Sequence, residues 1–284
     1  MSSTKHREVA KLDRVPLPFE AIRFGTTGWQ LTRTGARVLT KLPTRGPWQT
    51  KVIKEIPQLF ADLGPTYVKF GQIIASSPGA FGEPLSREFR TLLDAVPAAD
   101  SDEVHKLFTE ELGDEPQNLF KQWEETPFAS ASIAQVHYAT LHSGEEVVVK
   151  IQRPGIRRRV AADLQILKRF AQVVEVAKLG RRLSAQDVVA DFADNLAEEL
   201  DFRIEAQSME AWVTHLQASP LGKNIKVPDV HWDFTSERVL TMERVAGTRI
   251  DDVAAIRKQG FDGEELVKAL LFSTFEGGLR HGLF

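Results

Sequence analysis

Helical spacing of apolar residues governs most of this chain, and it gives way at one place. Between Phe128 and Ile151 the period shortens to two. Phe128-Ala-Ser-Ala-Ser-Ile-Ala-Gln-Val-His-Tyr-Ala-Thr-Leu141 supplies small residues and then an alternating run. His142-Ser-Gly144 makes a turn, and Glu145-Glu-Val-Val-Val-Lys150-Ile151 is a β-branched strand. The pattern predicts a β-hairpin. Lys150 closes the valine run, and alternation puts it on the face of Val148. A charge on a buried strand is costly without a partner. Lys150 therefore either reaches the surface at the strand end or meets an acid supplied by another element.

The order of elements around the hairpin fixes the fold class. Residues 1–47 contain Pro16, Pro18, Gly25, Gly28, Gly35, Pro43, Gly46 and Pro47, so helices there are expected to be short or broken. From Trp48 the residues Val52, Ile53, Ile56, Leu59, Phe60 and Leu63 follow helical spacing. Further helices are expected from Pro65, from Pro84, from Ser101 to Leu112 and over Gln117–Trp123. Beyond the hairpin, Pro154-Gly155 leads into two long helices at about 156–179 and 184–217. Strands are expected at 226–231 and 238–243, then helices at about 249–258 and 263–280. Helices flanking a small, segregated set of strands indicate an α+β fold.

Composition excludes several classes. There is no cysteine, so disulfides and thiolate metal sites are out, which fits a reducing compartment. The first residues lead into no apolar run of signal-peptide length, and no uncharged apolar stretch of membrane-spanning length occurs. The net charge of −3 argues against a general nucleic-acid binder. Charge is nevertheless uneven. Residues 1–47 carry nine Lys/Arg and three acids, a balance of +6 that leaves −9 for the remainder. The same segment holds Phe19, Ile22, Phe24, Trp29, Leu31, Val38 and Leu39, a combination suited to an anionic membrane surface. A partly ordered tail or a helix docked on the domain is the alternative.

Three further groups are candidates for chemistry. In Pro65-Thr-Tyr-Val-Lys69-Phe-Gly71-Gln72-Ile-Ile-Ala-Ser-Ser77, Lys69 and Gln72 are helical neighbours. Gly71, between them, costs a helix up to about 1 kcal/mol, which suggests close approach by another group. Glu198-Glu199-Leu-Asp201-Phe-Arg-Ile-Glu205 is an acidic stretch interleaved with apolar residues. As one helix it would put Asp201 and Glu205 on a shared face, with Glu199 to the side. Ala129-Ser130-Ala131-Ser132 precedes the hairpin, where successive backbone N–H groups can hold phosphate oxygens.

Taken in order, these segments resemble the UbiB family of atypical kinases, the aarF-domain-containing kinases. Lys69-Phe-Gly71-Gln72 matches the family's Lys-x-Gly-Gln motif, and Phe128 to His137 its Ala-rich loop. Val149-Lys150-Ile-Gln-Arg-Pro-Gly155 matches its strand lysine, and Glu199-Leu-Asp201-Phe-Arg-Ile-Glu205-Ala206 its Glu-x-Asp motif and helix glutamate. Val239-Leu-Thr-Met242-Glu243-Arg-Val-Ala-Gly247 resembles the segment joining the two kinase lobes. The resemblance runs from about residue 50 to the last residue. Ser130 departs from it, since the family usually has Ala there.

The resemblance implies ATP as cofactor and an ATPase-like or kinase activity. Lys150 would contact phosphates and pair with Glu205, the two catalytic candidates. Ala129, Ser130, Ala131 and Ser132 would cover the phosphates, and Glu243 to Val245 would lie near the adenine. Lys69, Gly71 and Gln72 would form a regulatory lid, with Lys69 close to Glu199 and Asp201. It also implies support of isoprenoid quinone (ubiquinone-type) or related lipid metabolism, and a cytoplasmic protein peripheral on the inner membrane face.

The family's next motif, His-x-Asp-x-His-x-Gly-Asn, holds the catalytic Asp and the Asn that binds Mg²⁺, and a later Asp motif completes the metal site. Neither occurs in the 284 residues, which end at Arg280-His-Gly-Leu-Phe284. No metal ligand is assigned, and phosphoryl transfer by this sequence alone is not expected. The implied layout is a basic segment 1–47, a helical extension 48–125, a kinase-like small lobe 126–245 with long inserted helices, and the start of a large lobe 246–284. A partner chain supplying the rest of that lobe is one expectation, and apolar residues Leu266, Leu270, Leu271 and Phe275 are expected to stand partly uncovered. The alternative functions are a non-catalytic nucleotide- or lipid-binding module and a helical membrane-surface protein.

Overall fold

In a computed structural model, residues 15–41, 48–90, 97–176, 184–217, 222 and 225–281 are described. The chain divides into two compact units, each assembled from three stretches of sequence. The first contains residues 1–100, 129–135 and 152–200 and is helical apart from one short strand. The second contains 101–128, 136–151 and 201–284 and carries the sheet.

The helices of the first unit are α1 (Leu17–Lys41), α2 (Trp48–Leu63), α3 (Pro65–Ser76), α4 (Pro78–Phe81), α5 (Glu83–Phe89), α8 (Ile156–Val176) and α9 (Ala185–Glu199). Helix α1 overturns the expectation of short, broken helices in the basic segment. Its Pro16 and Pro18 fall before and within the first turn, where a missing N–H is harmless. Gly25, Gly28 and Gly35 are tolerated because tertiary contacts outweigh a propensity cost of about 1 kcal/mol each. Those contacts centre on Asp163 of α8, which is fully buried. Arg23 Nε of α1 donates to its Oδ1 at 2.9 Å, and Thr66 Oγ1 of α3 to its Oδ2 at 2.8 Å. Gly64, between α2 and α3, adopts a positive φ of 104°, and a Cβ there would collide with the Arg159 guanidinium. Phe60, Tyr67 and Phe89 meet edge to face in the same core.

The second unit comprises α6 (Ser101–Leu112), α7 (Pro116–Leu119), α10 (Phe202–Gln217), α11 (Val253–Lys258), α12 (Gly263–Phe275) and an antiparallel sheet. Strand order is β1-β3-β4-β5, with β1 at Gln122–Trp123, β3 at Ala134–Thr140, β4 at Glu146–Gln152 and β5 at Val239–Glu243. The expected hairpin is β3–β4. Val147, Val149 and Ile151 are fully buried on one face, each contributing about 1.5–3 kcal/mol of apolar burial. The register pairs Lys150 with Leu240 and Val148 with Met242.

Several elements differ from the sequence expectation. The helix expected over Gln117–Trp123 stops at Leu119, because Phe120 turns extended and Lys121 N–H and Glu124 N–H bond to β3 carbonyls at Thr140 and Tyr138. The long helix expected at 184–217 is two helices, broken at Leu200-Asp201. Asp201 Oδ1 accepts from Arg203 N–H at 3.1 Å, an N-cap for α10. Asp201 and Glu205 therefore do not lie on one continuous helix. The strand expected at 226–231 shrinks to a bridge between Val230 and Met242. Gly180, the last three residues Gly282, Leu283 and Phe284, and residues 1–14 and 42–47 lie outside the described residues. Leu270, Leu271 and Phe275 on α12 are about half exposed, as expected, and Leu266 is half-buried.

Each unit holds a buried polar group whose loss can be measured. Arg23→Ala strands the buried Asp163 carboxylate without its α1 partner and should destabilise the first unit by about 3 kcal/mol at neutral pH. Burial already holds the Asp163 carboxyl above its usual range, against the opposing effect of Arg23. Removing Arg23 raises it further, so the deficit in urea denaturation should narrow as pH falls and Asp163 takes up a proton.

His137 is buried in the second unit and stacks on Trp123 at 4.6 Å, with Nδ1 donating to the Glu124 carbonyl at 2.8 Å. Burial lowers its pKa. The folded state then binds that proton less readily than the unfolded chain. Stability should be retained above the unfolded histidine's titration near 6.5 and decline as pH falls through and below it, a decline that His137→Asn should flatten.

Candidate functional site

The strand lysine meets an acid, as burial demands. Lys150 Nζ donates to both carboxylate oxygens of Glu205, at 2.7 and 3.0 Å. Strand β4 fixes the lysine, and the first turns of α10 fix the glutamate. The Phe202 ring lies under the ammonium at 4.7 Å, so the cation rests on an aromatic face. About a quarter of the Lys150 side chain remains exposed. This is a fixed positive charge on a sheet face with one flank open to solvent.

Beside β4, β5 runs into Glu243, Arg244 and Val245. The Glu243 side chain is engaged by an exposed lysine. Lys226 hydrogen bonds to its carboxylate and holds it below the usual carboxylate range. Val245 is about half exposed. Arg244 lies over the Tyr138 ring at 4.1 Å, and Tyr138 stacks on Phe128 at 4.1 Å.

In the first unit, Lys69 Nζ sits 2.9 Å from Glu199 Oε1. Helices α3 and α9 here border a half-open pocket of about 320 Å³ lined by Lys69, Gln72, Ile73, Phe192, Asn195 and Glu199 among others. Gly71 is buried on α3. Of the two acids expected near Lys69, Glu199 is the one that meets it within this unit. Asp201 belongs to the second unit, where Arg203 makes a two-pronged bond to its carboxylate at 2.9 and 2.7 Å.

The Ala-rich loop also lies in the first unit. A short strand, β2 (Ala129–Ser130), leads into a turn closed by Ala131 N–H on the Ala134 carbonyl at 2.8 Å. Ala129 and Ala131 are exposed, Ser130 is half-buried and Ser132 is buried. The residue that ties this loop down went unassigned in the sequence. Arg153 donates to the Ala131 carbonyl at 2.9 Å, the Pro97 carbonyl at 2.6 Å and Ser130 Oγ at 2.7 Å. Ser130, the departure from the family pattern, is therefore an Arg153 partner. Next to it, Gln152 Nε2 donates to the Leu200 carbonyl at 2.7 Å, satisfying the end of α9. Only the Gln-Arg-Pro-Gly string in the sequence hinted at either role.

Comparison with known proteins decides the family. The family model described as ABC1 atypical kinase-like domain matches residues 91–284. The chain belongs to the ABC1 atypical kinase-like family. Its α+β fold is accordingly kinase-like. It is 83% identical over 284 residues to the uncharacterized protein Rv0647c of Mycobacterium tuberculosis, covering all of this chain and 58% of that protein. It is 37% identical over 222 residues to a probable protein kinase UbiB of Azotobacter vinelandii, covering 78% of this chain and 41% of that one. A solved structure of Rv3197 with erythromycin, also from M. tuberculosis, shares 30% identity at a TM-score of 0.47, covering 73% of this chain and 51% of that chain. The chain thus spans about half the length of these relatives.

Arg153 offers a test of how the loop is held. Arg153→Ala should cost about 2 kcal/mol and speed hydrogen exchange of the amides at 129–135. Arg153→Lys should restore little of that protection, since a point ammonium cannot replace the planar fork.

Proposed function

We propose that this chain binds ATP on the Lys150 face of its sheet and serves a UbiB-type atypical kinase or ATPase supporting isoprenoid quinone or related lipid metabolism. The observation that carries the proposal is the Lys150–Glu205 pair. A kinase small lobe holds its phosphate-binding lysine by such a helix glutamate. The pair suits a triphosphate because Glu205 positions the ammonium without enclosing it. The backbone from Glu243 to Val245 would take the base, since the Glu243 side chain is engaged by Lys226. The roles implied by the resemblance for Ala129 to Ser132, and for Lys69, Gln72 and Glu199 as a lid, carry over as parts of the same proposal.

Kinase-family chemistry uses Mg²⁺ to neutralise phosphate charge. Among the described residues no three His, Cys, Asp or Glu side chains gather to hold a metal ion. The described residues supply no such cluster for that ion. What these residues supply is binding and orientation. Lys150 offsets phosphate charge, Glu205 and Phe202 fix where that charge sits, and transfer requires groups outside this set.

The test is ligand-dependent stability. ATP at a hundredfold excess over its dissociation constant should stabilise the protein by about 2.7 kcal/mol, read as a rise in Tm. Lys150→Ala and Glu205→Gln should remove most of that rise. Each should change ligand-free stability by only about 1 kcal/mol or less, because the pair is partly exposed. An unchanged Tm at saturating ATP would overturn the proposal. A rise that survives Lys150→Ala would place the nucleotide elsewhere.

A further inference from the structure

Within the second unit, the Lys150 face of the sheet ends in a stack of three flat side chains. Residues directly opposite in an antiparallel ladder share a face. Leu240 and Met242 therefore lie on the face of Lys150 and Val148. The next step of that register brings Arg244 to Glu146, and the Arg244 N–H donates to the Glu146 carbonyl at 3.1 Å. Arg244 thus stands on the same face, four residues along β4 from Lys150, a span of about 13 Å at the rise of a strand. Its guanidinium lies 4.1 Å from the centre of the Tyr138 ring. Phe128 stacks on that ring at 4.1 Å, with 8° between the planes. Two groups at this height cannot share one side of a ring, so Tyr138 is sandwiched between Phe128 and Arg244.

The stack sits where the chain leaves the sheet. Arg244 follows the last residue of β5, and Val245 beyond it is about half exposed. One backbone bond ties Arg244 to β4, and the stack ties down its side chain as well. Phe128 is fixed in turn, since its N–H donates to the Val136 carbonyl of β3 at 3.0 Å. Glu146, 3.6 Å from the guanidinium, is an exposed partner and adds little. Phe128 and Arg244 are themselves exposed, so the stack adds little to the core, which lies on the opposite face of β4 under Val147, Val149 and Ile151. Its effect is to fix the backbone at Arg244–Val245 relative to Lys150. Between the two ends, Val148 and Met242 form a half-buried apolar floor.

We propose that the Phe128–Tyr138–Arg244 stack positions the purine base: it holds the Arg244–Val245 backbone at nucleotide length from Lys150 and so sets affinity for the base, not for the phosphates. The proposal rests on the nucleotide reading above and adds to it the residues that favour a nucleotide over a bare polyphosphate. Tyr138 and Arg244 act here as positioning residues.

The test titrates the 284-residue chain calorimetrically with ATP and with inorganic tripolyphosphate. The wild type should bind ATP the more tightly. Tyr138→Leu and Arg244→Ala should each weaken ATP by up to about tenfold, the scale of a lost aromatic contact, and leave tripolyphosphate binding as in the wild type. Tyr138→Phe keeps the ring and should keep ATP affinity. Arg244→Lys keeps the charge but loses the plane, and should resemble Arg244→Ala. Lys150→Ala should weaken both ligands. Retained tripolyphosphate binding also reports that a variant is folded, and the exposed Arg244 carries the test if Tyr138→Leu does not fold. The proposal is overturned if Arg244→Ala weakens both ligands equally, if it leaves ATP affinity unchanged, or if Arg244→Lys restores that affinity in full. It is also overturned if the wild type binds ATP no better than tripolyphosphate. In each of these cases the Lys150 reading stands as long as Lys150→Ala weakens ATP. A wild type that binds neither ligand overturns both.

Discussion

A lysine on a strand whose alternate residues are fully buried has little freedom to move, and the second unit is arranged around that fact. Val147, Val149 and Ile151 lock β4 in place, and β5 pairs with it from Val147 to Ile151. The ammonium of Lys150 is therefore held wherever the sheet puts it. Its partner has to be delivered, and α10 delivers Glu205 one turn after the helix begins. That start is set by Asp201, which caps the helix, and by Phe202, whose N–H bonds to the Glu237 carbonyl at 3.0 Å. The ion pair is partly exposed and contributes about 1 kcal/mol or less to stability. Its value is positional: several kcal/mol of burial on the opposite face of β4 holds one charge at one place.

The first unit uses the opposite economy. Asp163 has no exposure, so its bonds from Arg23 and Thr66 are indispensable, since an unpaired buried charge is far more costly than a missing surface pair. Three helices supply the acid, the guanidinium and the hydroxyl. Within that frame α3 also presents Lys69 and Gln72 toward the half-open pocket it shares with α9. The lysine that the resemblance assigns to a lid thus stands on a helix anchored a turn away by Thr66.

How much of this could be read from the sequence depended on whether a local rule was in charge. The hairpin, the Lys150 face and the α3 start at Gly64-Pro65 were legible because alternation and punctuation are local. The acid for Lys150 was legible only through resemblance, since the 55 residues between it and Glu205 say nothing about proximity. The break at Leu200-Asp201 was missed because no Gly or Pro marks it. It arises from one tertiary bond, Gln152 to the Leu200 carbonyl, and one local cap, Asp201 accepting from the Arg203 amide. Arg153 was missed for a related reason. An arginine after a strand is ordinarily a solvated side chain, and nothing nearby in sequence announces three oxygen acceptors. In residues 17–41 the glycines were weighted too heavily, because propensity is a weak prior once Arg23 has a buried carboxylate to reach.

That last error has a structural consequence. The ion pairs that let a glycine-bearing segment form a 25-residue helix also determine which way it faces. With Arg23 committed to Asp163, Glu20 to Arg169 and Arg37 to Asp62, α1 cannot roll without breaking a buried pair. Ile22 and Trp29 are turned outward by the same bonds that hold the helix down. Their exposure is thereby maintained by the core, not by any local preference of the segment itself. No described helix, α1 included, is long and apolar enough to cross a membrane. Substitutions at Ile22 or Trp29 should leave the fold intact, whereas substitutions at Asp163 would disturb the fold and the outward face together.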